Sequence, residues 1–468
     1  MTKGVPPCEV AKRAVEGPYC SEKEFDFKLL YSKAKELVKE YDIKFNPEEI
    51  IPSDETLVDN VFEAGFNLFL EVGAYCLDTR RRILFEEYEV RKALANLPEG
   101  LVIGVGADAV DMLMRDIEDV SEPIVHGGPT GTLCSEGEIY IKTLQSYAQE
   151  PSVDAVGAGS LKTIDGYKLR KYSPTDFLAA RRLAYWAREA LRRVYRPGLH
   201  INDIAVVTPS AKIAACNPDF GIRPSDALIV SQMVEMKISF EHLALVECML
   251  DYGCIIADLM TPMLGGYAGG PETTAVITVA EHLLGLMCYN ADYHFLSLTH
   301  IFNLNNTDRA SLWVVSVVGQ ALSRNSNILS IYDSYCAAGP GTDMILLEAA
   351  AGAITAAVSG LHLTGCGSCG GKLVDHATGL ECAFLAETAK AATGMKREDA
   401  NEIVKEIISK YEDRLVKKEV PSGETFQELY DLKAIKPKEK WVEKYNKTAS
   451  LLRDLGVEVF NYGENRLW

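Results

Sequence analysis

Asp333 and Tyr335 follow an apolar run (ILSIY, 328–332) and stand just before a glycine turn, AAGPGT at 337–342. That order places them at the C-terminal rim of a barrel strand, where side chains serve catalysis or packing; sequence alone leaves both open. Cys366-Gly-Ser-Cys369 offers a metal or redox pair, but the chain has no second CxxC. His362 and His376 give no familiar zinc spacing, and the surrounding glycines suit a flexible turn, so a structural reading is preferred. Gly104-Val-Gly106 lacks the third glycine and the distal acid of a dinucleotide fingerprint. Glu235 and Lys237 sit near an expected helix end and read as surface residues. Lys372, in a glycine turn, could serve a lyase or aldolase-like barrel as an amine nucleophile. Nothing near it suggests the lowered pKa a Schiff base needs.

Three glycine turns, GGPTG (127–131), GGYAGG (265–270) and AAGPGT (337–342), each follow a short apolar run. Glycine lets the backbone approach a ligand and adopt φ > 0, so such turns are expected where strands end over a site. Strand, glycine turn and helix in repetition predict an α/β fold, a (β/α)8 TIM barrel. Residues 24–97 read as helices, notably 28–41 and 56–75, the second entered through Pro52 and Ser53. Strand-like runs follow at LVIGV, PIVH, VDAVGAG, HINDIAVV, LALVEC, CIIADL, HFLSL, ILSIYD and LHLTG. Helical patterns separate most of them, at 174–193, 225–236, 273–290, 307–323 and 344–358. Nine candidates for eight barrel places leave one extra, and 101–105 is set aside as a hairpin strand. The expected organisation is an N-terminal helical extension (1–100), a barrel core (101–371) and C-terminal helices packing on the barrel (372–468).

The chain has 468 residues, 47% hydrophobic and 24% charged, with a formal net charge of −18. Such an acidic balance argues against nucleic acid and anionic membrane surfaces as partners. No window reaches the roughly 18 apolar residues of a membrane span, and the first twenty residues lack the apolar stretch of a secretory signal. Most of the twelve cysteines lie in apolar runs, as reduced thiols do, and a cytoplasmic protein is expected.

At the glycine turns the chain resembles the monomethylamine:corrinoid methyltransferases of methanogenic archaea, the family in which an amber codon encodes pyrrolysine. The likeness runs nearly end to end. It is carried by FEAGFNLFLEVGAYCLDT (62–79), PIVHGGPTG (123–131), RPG (196–198) and SQMVEMKI (231–238). PMLGGYAGGPETT (262–274), AGPGTDMILLEA (338–349) and GETFQELYDLK (423–433) extend it in the same order. The resemblance implies a barrel that forms a homo-oligomer. It also implies methyl transfer from a small methylated amine to Co(I) of a corrinoid held by a separate corrinoid protein. The chain itself is then expected to bind no cofactor and no metal. Asp292-Tyr-His294 begins like the cobalt-ligating Asp-x-His-x-x-Gly signature, but Ser297 occupies its sixth position, so a strand histidine with a hydrogen-bond partner is the preferred account.

By the same resemblance, the pyrrolysine position falls on Asn202. Two family glutamates fall on Ile229 and Leu259, the family's glutamine falls on Asp333, and its tyrosine is retained as Tyr335. Asparagine has no imine, and its amide can only hydrogen-bond. Asn202, Asp333 and Tyr335 are therefore the candidate catalytic residues, and Ile229, Leu259, Asp203 and Tyr267 the candidate substrate-binding ones. A lone carboxylate and a phenol in an apolar cup suit a nitrogen that is already cationic. The expected reaction is pyrrolysine-free methyl transfer from a tertiary or quaternary amine. Two alternatives stand beside it: methylamine as donor despite the substitution, and a non-catalytic paralogue that binds the corrinoid protein.

Overall fold

In a computed structural model of the chain, residues 3–464 are described; residues 1–2 of the expected N-terminal extension and 465–468 of the C-terminal one lie outside them. Among the described residues, eight parallel strands form a nearly closed barrel. They are β1 (Val125–Gly127), β2 (Ala155–Gly157), β3 (His200–Asp203), β4 (Ala227–Ser231), β5 (Ile255–Met260), β6 (Tyr293–Leu296), β7 (Ser330–Tyr335) and β8 (His362–Gly367). Each is followed by a helix: α1 (Glu138–Ala148), α2 (Pro174–Arg193), α3 (Pro209–Lys212), α4 (Phe240–Tyr252), α5 (Pro271–Tyr289), α6 (Arg309–Asn325), α7 (Asp343–Val358) and α8 (Gly379–Ala391). The (β/α)8 expectation holds.

The expected assignments fail at 74–83, where the stretch read as helical carries an antiparallel pair (Ala74–Cys76 with Arg81–Ile83), and in one matched pair within the barrel. Residues 225–236 were expected to be helical and instead carry β4, whereas the expected strand LALVEC lies inside α4. Pro224-Ser225-Asp226 imitates a helix start, but the segment behind it is ALIVS, whose β-branched residues fit a pleated wall. LALVEC is a continuous apolar run, which does not separate a buried helix from a strand. The local signal was Ser239, whose hydroxyl accepts from His242 N and caps α4. Because the two errors cancel, the count of eight survived them.

Hydrogen-bonded order runs β3-β2-β1-β8-β7-β6-β5-β4, so β3 and β4 flank a seam. Side chains bridge it. Ile201 N donates to Asp226 Oδ1 at 3.0 Å, and Ile229 N donates to Asp203 Oδ1 at 2.9 Å. The helix after β3 is only the four-residue α3, and its Lys212 reaches back to the seam, donating to Asp203 Oδ1 at 2.6 Å and Ile229 O at 2.7 Å.

Along each strand alternate side chains face the barrel axis. The lower half is filled by Ala227, Ala257, Tyr293, Leu329 and Ile331. Met112 completes that cluster from an antiparallel hairpin (Gly100–Ile103 with Val110–Leu113) that lies outside the barrel sheet. This hairpin contains the strand set aside in the sequence. On the outside, α5 is buried over its whole length because the helix Glu55–Val72 lies across it. Gly65 allows the close crossing, since a Cβ there would come 2.5 Å from Val279 Cβ. Helices Arg397–Ser409 and Glu439–Asp454 pack beside α7, with Trp441 buried and donating to Thr378 Oγ1 at 3.2 Å.

Candidate active site

Above the filled lower half, a cavity of about 660 Å³ opens at the C-terminal ends of the strands. Its wall takes Asn202 and Asp203 from β3, Ile229 from β4, Leu259 from β5, Phe295 from β6, and Asp333 and Tyr335 from β7. Six of the seven residues singled out in the sequence therefore meet around one space. The seventh, Tyr267, lies outside this lining; it is 48% exposed and packs on Phe27 at a ring separation of 6.0 Å. Of the three glycine turns, only the first reaches the cavity, through Thr130 and Gly131. The third is held from beneath by Glu348, whose carboxylate accepts from Ala337 N at 2.8 Å and Ala338 N at 2.9 Å.

Asp333 is 4% exposed. Ser297 Oγ donates to its Oδ2 at 2.7 Å, while Oδ1 has no partner. Burial pushes its carboxyl up to about 7, and the Ser297 hydrogen bond only partly opposes that. Asn306 fixes the strand that carries it. Asn306 Nδ2 donates to Asp333 O at 2.7 Å, and its Oδ1 accepts from Tyr335 N at 2.8 Å and Tyr332 Oη at 2.9 Å. The Tyr335 ring fits among glycines. A Cβ on Gly131 would approach it to 3.1 Å, one on Gly371 would lie 2.7 Å from its hydroxyl, and one on Gly367 would overlap Cδ2. Burial also pushes the Tyr335 phenol above its ordinary range, so it stays protonated as a potential donor.

Asn202 is 4% exposed and lies over Gly157, where a Cβ would come 2.7 Å from its Oδ1. Its Nδ2 meets His126 Nδ1, on β1, at 3.0 Å. Beneath them His200 spans from Ser225 O (2.9 Å, Nδ1) to Tyr293 Oη (3.0 Å, Nε2). A carbonyl can only accept, so His200 carries its proton on Nδ1 and Nε2 accepts from the tyrosine. Burial holds both His126 and His200 below the usual histidine range, and both are neutral at pH 7.

Asp203 sits in the cavity wall with Oδ1 committed to Lys212 and Ile229 N, so its first duty is to hold the seam. Farther out, Glu241 accepts from Ser210 Oγ at 2.6 Å and Tyr172 Oη at 2.9 Å, tying the rim segments to the start of α4. Tyr172, Val207 and Met233 leave exposed side chains around the opening. Glu235 and Lys237, expected at the surface, are 1% and 5% exposed. They follow a strand rather than a helix. Lys237 pairs with Glu22 and Asp26, each at 2.9 Å, and Glu235 Oε1 accepts from Met263 N at 3.0 Å. His294, on β6, bonds Asp258 Oδ2 at 3.1 Å through Nδ1. The cysteines are free thiols: Cys366 is buried on β8, and Cys369 lies 3.2 Å from Ser422 O. Among the described residues no three His, Cys, Asp or Glu side chains converge as metal ligands.

The sequence reading missed His126, Phe295, Ser297, Asn306 and Lys212. For Phe295 and Ser297 the signal was present: in HFLSL they occupy alternate positions, the period of one strand face. Asn306 acts from a loop and Lys212 from the end of the four-residue α3, where no periodicity marks them.

A parallel eight-stranded barrel with a small-molecule cavity at the C-terminal ends of its strands is the architecture of a barrel enzyme. A family model described as monomethylamine methyltransferase MtmB matches residues 5–457. The chain is 33% identical over 446 residues to monomethylamine methyltransferase MtmB1 of Methanosarcina barkeri, covering 95% of this chain and 96% of that one. It is equally identical over 451 residues to MtmB2 of Methanosarcina acetivorans, with the same coverage. The crystal structure of the Methanosarcina barkeri enzyme superposes with a TM-score of 0.93 at 33% identity, over 96% of this chain and 98% of that one. A hydroxylamine complex of MtmB superposes equally well. The chain belongs to the monomethylamine methyltransferase family. No helix among its described residues is long and apolar enough to cross a membrane.

Proposed function

We propose that this protein transfers a methyl group from a methylated amine, tertiary or quaternary, to a corrinoid carried by a separate protein, without pyrrolysine. The observation that carries this reading is Asp333: a buried carboxylate with one partnerless oxygen, facing a cavity that Ile229, Leu259, Phe295 and Tyr335 also line. A bound alkylammonium supplies the missing counter-charge and keeps the carboxylate ionised. The Phe295 and Tyr335 rings add attraction for the cation, and the apolar wall keeps water from the reacting carbon.

Methyl transfer is an in-line displacement, so nitrogen, carbon and acceptor must be collinear. The corrinoid supplies a cobalt(I) nucleophile. Asp333 and Asn202 hold the nitrogen so that a methyl group faces the cavity mouth, and an already cationic nitrogen leaves neutral without a further proton. Tyr172, Val207 and Met233 offer exposed apolar surface where a partner would present a large planar ring. An open cavity also favours turnover over a purely binding role, since a decayed site would be filled by side chains.

The test is anaerobic incubation with reduced corrinoid protein and each donor in turn, following cobalt methylation by absorbance. Methylation from tertiary or quaternary amines is expected. Turnover of methylamine alone would overturn the reading.

A further inference from the structure

We infer that His126 holds the Asn202 amide with its carbonyl oxygen free for the substrate, and that the donor is therefore an N–H-bearing tertiary ammonium rather than a quaternary one. This rests on the methyl-transfer reading and narrows its substrate class.

The tautomer decides it. His126 is fully buried, with Nδ1 3.0 Å from Asn202 Nδ2 and no partner for Nε2. Its ring is edge-to-face with Tyr293 at 5.6 Å and 79°, Phe295 at 5.8 Å and 79°, and His200 at 6.0 Å and 71°. The Asn202 Nδ2 that faces Nδ1 can only donate, so Nδ1 is the acceptor and the neutral ring carries its proton on Nε2. Burial keeps the imidazole neutral, so Nδ1 does not become a donor near neutral pH.

Asn202 Oδ1 is thus left as a hydrogen-bond acceptor in the cavity wall, across the barrel from the Asp333 carboxylate. One acceptor and one charge match an alkylammonium with a single N–H. A quaternary ammonium satisfies Asp333 but covers Asn202 Oδ1 with a methyl group, which leaves a desolvated carbonyl unpaired. The transfer balances. The C–N bond breaks with its pair going to nitrogen, the amine leaves neutral with its own proton, and the methyl carbon bonds to cobalt through the two electrons of Co(I). Asn202 Oδ1 holds the N–H throughout, so no proton needs to move.

Calorimetric titration of the full chain with trimethylammonium and with tetramethylammonium chloride separates the cases, because the two ions share a charge and differ in one N–H. Trimethylammonium is expected to bind roughly tenfold to a hundredfold tighter, the range of one charge-assisted hydrogen bond. His126→Phe keeps an aromatic ring but removes the acceptor, and should erase the preference. His126→Asn places an amide oxygen where Nδ1 stands and should retain it. Equal or tighter binding of tetramethylammonium, or an unchanged preference in a folded His126→Phe protein, overturns the inference while leaving methyl transfer intact. If neither ion binds and neither methylates the reduced corrinoid protein, the methyl-transfer reading itself fails.

Discussion

Replacing Asp333 by asparagine should make the unliganded protein more stable and its cation site useless. Moving an aspartate from its ordinary value of 3.8 to about 7 disfavours the ionised form by about 4 kcal/mol. The group is an acid whose pKa is higher folded than unfolded. Wild-type stability therefore falls as pH rises from near 3.8 through about 7 and is flat above. Asparagine carries none of this cost and can still accept from Ser297 Oγ. Asp333→Asn should gain up to about 4 kcal/mol at pH 8, shrinking to about 2 kcal/mol at pH 5. Urea denaturation at both pH values measures the difference. The same variant separates function from folding. Wild-type affinity for an alkylammonium should drop about tenfold from pH 8 to pH 6 as the proton competes with the cation, and the variant should bind weakly at both. An Asp333→Asn protein no more stable than wild type at pH 8, or one retaining the pH-dependent affinity, refutes the reasoning.

Glu281→Gln should flatten the pH dependence of stability between pH 6 and 9, by about 2 kcal/mol at pH 8. Burial raises Glu235 to about 7 and lifts Glu281 well above its ordinary range; the Oε2 atoms of both lack an ordinary donor, so the pair shares a proton that is lost on alkalinisation. Thermal melts across that range check it. Lys212→Met leaves Asp203 without its counter-ion at the β3–β4 seam and should cost about 3 kcal/mol, read by urea titration. Gly367→Ala forces the Tyr335 ring from its seat. It should lower the rate of corrinoid methylation at least about tenfold, with a smaller loss of stability.

How much of this was legible depended on where each residue's constraint comes from. The wall positions Asn202, Ile229 and Leu259 came through the family likeness, Asp333 and Tyr335 already through their place between an apolar run and a glycine turn, and the barrel brings them together on strands β3, β4, β5 and β7. The barrel itself was readable from the alternation of apolar runs and glycine turns. Tyr267 was singled out from a glycine turn after β5, but that turn leaves the axis and packs toward Phe27. Asp203 looked like a ligand because it adjoins Asn202. Its seam role depends on Lys212 and Ile229 N, which no local pattern connects to it. His126 was unmarked because its significance lies in a tautomer, which the amide facing it from another strand decides.

The hairpin that places Met112 against the foot of the barrel has a kinetic consequence. With that end packed shut, the proposed reaction would pass amine and demethylated product through the cavity mouth at the other end, the face a corrinoid carrier would have to cover to reach the methyl group. On that proposal turnover should be ordered: amine first, carrier second, and no amine release until the carrier has departed. Excess carrier should accordingly slow steady-state turnover by trapping product behind it.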